Sequence, residues 1–77
     1  MKAQLLDLFK RILETTAIDE TVSQANCEKW NSIRHLNLIV EIETEFDISF
    51  EPEEMAEMKD FATVLKLVEG KKHGLGK

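Results

Sequence analysis

One cysteine, one proline, three glycines and no tyrosine are all that this chain contains of those residue types. The single Cys27 leaves no partner for an internal disulfide and excludes a zinc site of four cysteines, so nothing covalent supplements the core. Cys27 is expected as a partly buried apolar thiol rather than a reactive one. With Pro only at position 52 and Gly only at 70, 74 and 76, few positions break or unlock the backbone, which favours compact helices over disorder. No run approaches the roughly 18 apolar residues that span a bilayer, and the N-terminus turns polar by Asp7 without a small-residue cleavage site. These absences predict a cytoplasmic chain with no membrane insertion.

Basic charge is also scarce. Ten Lys and Arg stand against 15 Asp and Glu, a formal net charge of -5. Such a surface repels phosphate backbones and anionic membranes and attracts basic protein patches, so nucleic acid is not an expected partner. The 77 residues suffice for one modest core, since a domain of this size buries only about 60 to 65% of its unfolded surface. There is no room for a second domain or a deep catalytic cleft. A monomer without enzymatic activity of its own is expected.

What is present reads as helix. Leu5, Leu6, Phe9, Ile12 and Leu13 recur at helical spacing over about residues 3–15, with Lys2, Gln4, Asp7, Lys10, Arg11 and Glu14 largely opposite. The stretch up to Asn31 lacks sustained periodicity and carries Asp19, Thr21, Ser23 and Asn26 as turn formers, so it reads as a long loop anchored by Ile18, Val22 and Trp30. A second helix starts at Asn31 or Ser32, with Ile33, Leu36, Ile39, Val40, Ile42 and Phe46 as its apolar positions. Its polar stripe is Arg34, Asn37, Glu41, Thr44 and Glu45. A short third helix follows Pro52. The last opens at Asp60 as N-cap and ends near Gly70, leaving residues 71–77 as a flexible basic tail. The expected fold is an all-α four-helix bundle with a long loop between helices 1 and 2, a short helix 3, and a core around Phe9, Leu36, Ile39, Phe46, Phe61 and Val64.

One serine stands out by its neighbour. A Ser ahead of an apolar helix is ordinarily only an N-cap, but Asn31 is an equally good cap one residue earlier and would leave the Ser32 hydroxyl free at the first helical position. An anion attached there would face the positive end of the helix dipole. Ser32 and His35 lie three apart, yet neither a third residue nor a glycine-built oxyanion hole accompanies them, so a hydrolase is not expected. His35, His73 and Cys27 lack metal-ligand spacing, and no metal site is predicted. Met55 and Met58 read as core filling, and Trp30 as a staple over the helix start.

The run Trp30-Asn31-Ser32-Ile33, followed by Leu36, Leu38-Ile39, Glu43, Glu45-Phe46, Ile48 and Phe50, resembles the acyl carrier protein family, as do the helix order, the Pro52 turn and Asp60-Phe61-Ala62-Thr63-Val64. The likeness spans roughly residues 3–69, and the carrier domain is placed at 1–70. In that family the Ser of an Asp-Ser-Leu motif receives 4′-phosphopantetheine from coenzyme A through a phosphopantetheinyl transferase, and the arm's thiol then carries acyl groups as thioesters. The resemblance therefore implies Ser32 as the attachment residue, flanked by Asn31 and Ile33. Here Asn31 stands where the family has Asp, removing one negative charge, and Ile33 where it has Leu, keeping an apolar contact.

The resemblance further implies acyltransferase, acyl ligase or synthase enzymes as partners, in fatty-acid, polyketide or other specialised biosynthesis. They would read the second helix at Arg34, Asn37, Glu41 and Glu45, through fast, weak and salt-sensitive docking. Arg34 and His35 immediately after Ser32 depart from the acidic start common in the family. Two alternatives remain open on the sequence: an aminoacyl or peptidyl carrier, and a carrier-like adaptor that binds partners noncovalently and never receives an arm.

Overall fold

The computed structural model describes residues 2–73, without the side chain of His73. Four helices, α1 (Lys2–Leu13), α2 (Ser32–Phe46), α3 (Pro52–Glu57) and α4 (Phe61–His73), pack into an all-α bundle, with α1 against α2 and α4. No strand is formed among the described residues; Ser23 and Asp60 make an isolated antiparallel bridge. No helix among them is long and apolar enough to cross a membrane.

The long connection between α1 and α2 is tied down at several points. Val22 and Trp30 are buried and Ile18 is half-buried, as the sequence predicts. The Phe61 amide donates to the Val22 carbonyl at 2.9 Å and the Gln24 amide to the Lys59 carbonyl at 2.9 Å, joining the loop to the start of α4. Asp60 Oδ1 accepts from the Thr63 amide at 2.8 Å, the bond of an N-cap. At the centre the Phe9 ring meets Trp30 edge-on at 5.2 Å and Phe61 at 5.1 Å, a geometry aromatic rings favour. Cys27 is a half-buried free thiol packed on the core.

Three expectations are corrected. Leu8 belongs to the core with Leu5, Phe9 and Leu13, whereas Leu6 and Ile12 are only partly buried. On α2 the core face is Leu38, Ile39, Ile42 and Phe46, and Leu36, expected inside, is 61% exposed together with Ile33 at 72% and Val40 at 57%. Finally, α4 continues through Gly70 to His73, so the tail does not begin at residue 71. The reason is tertiary: Lys71 reaches Glu54 Oε1 at 2.8 Å and lies over the Phe50 ring at 5.6 Å, tying the last turn to α3 and its approach. The remainder of the expected tail, residues 74–77, lies outside the described residues.

The backbone places Glu14, at φ 57, as well as Asp47 and Gly70 against their conformational preference. Asp47, the C-cap of α2, adopts the left-handed region at φ 56, where glycine is favoured, while Gly70 sits in helical conformation with nothing within 4 Å of an added Cβ. Asp47→Gly and Gly70→Ala are each expected to raise unfolding free energy by about 0.5–1 kcal/mol, measured by urea denaturation.

Acid should weaken the fold. The Thr63 hydroxyl and amide hold the Asp60 carboxyl below its ordinary value, and the Glu51 amide, with Lys71 second, does the same for Glu54. Groups with depressed folded values contribute stability above their unfolded range and lose it as pH falls through the folded value. Stability is therefore expected to be flat above the ordinary carboxylate range and to fall below it. Asp60→Asn, which keeps a capping oxygen but cannot titrate, should give a shallower acid limb in thermal melts taken across pH.

Candidate functional site

The site begins with the seating of Trp30. Its buried indole fixes the end of the loop, and the next residue, Asn31, is extended at φ -98 and ψ -175. Asn31 Oδ1 accepts from the Arg34 amide at 3.0 Å and the Asn31 carbonyl accepts from the His35 amide at 2.8 Å. Asn31 is thus the N-cap, and Ser32 is the first helical residue, exposed, with no hydrogen bond of its hydroxyl among the described residues. The Ser32 and Ile33 amides lie in the first turn, ahead of any carbonyl four residues back, and so are donors free for an anion. The donor set suits a phosphodiester on Ser32 Oγ.

The sequence gives His35 no site: neither a base for Ser32 nor a metal ligand is expected there. The structure gives it a different task. Trp30 Nε1, which can only donate, lies 3.0 Å from His35 Nδ1, so that nitrogen accepts and the ring proton is assigned to Nε2. Nε2 then donates to the Met55 carbonyl at 3.3 Å. The imidazole joins the loop end, α2 and α3, and no bond connects it to Ser32. The signal was available: His35 shares one helical face with Leu38, Ile39, Ile42 and Phe46.

The polar stripe of α2 divides. Arg34 is half-buried, donating to the Ile12 carbonyl at 3.0 Å and lying 3.6 Å from Glu14, while Glu41 meets Arg11 at 3.4 Å. Both residues face α1. Glu43 Oε2 accepts from the Phe50 amide at 2.9 Å and braces the exit of the helix. Asn37 and Glu45 are exposed. The outward surface near Ser32 is consequently the apolar stripe Ile33, Leu36 and Val40, with Asn37 beside it.

Beside Ser32 runs an open groove of about 370 Å³ lined by Gln24, Trp30, Asn31, Ser32, His35 and Leu36. Among the described residues no group of three or more His, Cys, Asp or Glu is placed to hold a metal ion. A scan against protein-family models finds no match to the chain, and a search of curated proteins finds none.

The two halves of this description separate in mutants. His35→Ala leaves the indole N–H of a buried tryptophan without its partner and should lower stability by about 1–3 kcal/mol. Leu36→Ser, on the exposed stripe, should stay within about 0.5 kcal/mol of the parent in the same urea titrations.

Proposed function

We propose that this chain is a carrier whose Ser32 hydroxyl is esterified with 4′-phosphopantetheine from coenzyme A by a phosphopantetheinyl transferase. The observation that carries the reading is the Asn31 cap: by taking the Arg34 amide it leaves Ser32 Oγ exposed and uncommitted at the first position of α2. The neighbouring free amides favour a phosphodiester at that point by about 0.3–1 kcal/mol. The likeness of residues 30–50 to the acyl carrier signature supports the same assignment.

When attached, the arm supplies a thiol that holds acyl groups as thioesters. The chain's own residues do the rest. Asn31 keeps Ser32 outside the cap, Ile33 gives an apolar contact beside the attachment point, and Trp30 with His35 fixes the turn that presents it. Partner enzymes of fatty-acid, polyketide or other specialised biosynthesis would perform the chemistry, in the cytoplasm, on a chain that is not itself an enzyme. An aminoacyl or peptidyl cargo would use the same residues.

A second reading has an observation of its own. Ile33, Leu36 and Val40 expose an apolar stripe that a noncovalent adaptor would use without any arm. Intact mass after incubation with coenzyme A and a broad-specificity transferase separates the two. The carrier reading expects one added arm, absent in Ser32→Ala. No gain in mass with several transferases would leave the adaptor.

A further inference from the structure

We infer that the groove of Gln24, Trp30, Asn31, Ser32, His35 and Leu36 is the resting seat of the arm, so that the arm lies on the surface between the loop and α2. The inference rests on the carrier reading and adds to it where the arm goes.

Ser32 is itself part of the groove wall, so an arm on its Oγ starts inside the seat. Side chains on a helix lean toward its N-terminus, and Leu36, one turn on from Ser32 and 61% exposed, leans back over the attachment turn. It offers an apolar wall to the arm's branched methyl groups. Gln24 offers polar contact for the arm's amides. Its Nε2 lies at a long 3.4 Å from His35 Nδ1, whose lone pair is already taken by Trp30 at 3.0 Å, so the Gln24 amide is free to change partners. Asn31 uses Oδ1 for the cap and keeps its Nδ2 donor.

Charge points the same way. No carboxylate lines this groove, although the chain carries a net charge of -5. The groove beside Cys27 has Asp19 and Glu28 with Lys29, that between α3 and α4 has Glu54 and Glu57 with Lys66 and Lys71, and that between α1 and α2 has Asp7 and Glu45 with Arg11. A phosphodiester at Ser32 meets no carboxylate in its own groove. The inward direction is closed by Trp30, buried against Phe9, and by His35, tied to the Met55 carbonyl. Tethering supplies the remaining requirement: a short flexible link gives an effective concentration on the order of millimolar, so weak contacts suffice.

The test compares ¹⁵N–¹H spectra of the chain before and after loading with coenzyme A and a transferase, with intact mass confirming one arm. The expected result is that loading shifts the Trp30 indole N–H, the Gln24 side-chain amide and the Leu36 amide, as well as residues 31–34. In Gln24→Glu, which puts a carboxylate in the groove, the shifts at the Trp30 indole and Leu36 should be lost while that at Ile33 remains. A loaded chain whose shifts stop at residues 31–34 would overturn the seat and leave the carrier reading intact. A chain that gains no mass would overturn both.

Discussion

The contact between Trp30 and Phe9 is the constraint on which the other features of this protein depend. A domain this small, with no disulfide, must hold the segment between α1 and α2 by packing and hydrogen bonds. Trp30 does so at the point that matters, with its ring edge-on to Phe9 and its N–H on His35. Phe9 in turn packs on Phe61, whose amide binds the Val22 carbonyl, so the same cluster holds the middle of the loop. Once Trp30 is seated, Asn31 is extended and in register to cap α2, and Ser32 emerges on the surface with its hydroxyl unspent. The proposed chemistry follows from that order of events in the chain.

Much of this was legible in the sequence because the signals were local. A cap needs only a side chain and the amide three residues on, which is why Asn31 and Asp60 could be identified from neighbours alone. Val22 and Trp30 were legible as anchors because large apolar residues in a polar loop have little else to do. The face of α2 was not legible, because the helix carries two apolar stripes. Ile33, Leu36 and Val40 form one; Leu38, Ile39, Ile42 and Phe46 form the other, and both fit helical spacing. The choice between them is tertiary: only the second is buried in the core that also holds Phe9, Trp30 and Phe61. His35 was missed for the same reason, since its partners lie in the loop and on α3. Gly70 misled because a glycine marks a helix end only where nothing tethers the turn beyond it, and Lys71 is tethered.

Electrostatics are likewise redistributed by tertiary contacts. Arg34 and Glu41 read as a surface for partners, but their groups join α2 to α1 through Ile12, Glu14 and Arg11. These are exposed or half-exposed pairs, each contributing no more than about 1 kcal/mol, and their effect is mainly to orient the helices. What α2 leaves outward beside Ser32 is apolar, with Asn37 and Glu45 at its margins. Under the proposed function, a partner approaching Ser32 would gain more from burying Ile33, Leu36 and Val40 than from charge, and less of its affinity would be screened by salt.

The central claim is that Ser32 carries the arm in the cell. Lys29 and Arg34 bracket it, so trypsin releases residues 30–34 as one peptide in which Ser32 is the sole hydroxyl-bearing side chain. Tandem mass spectrometry of that peptide, from chain isolated from the cells that make it, is the most direct measurement. The account predicts phosphopantetheine on Ser32; recovery of residues 30–34 in unmodified form alone would contradict it.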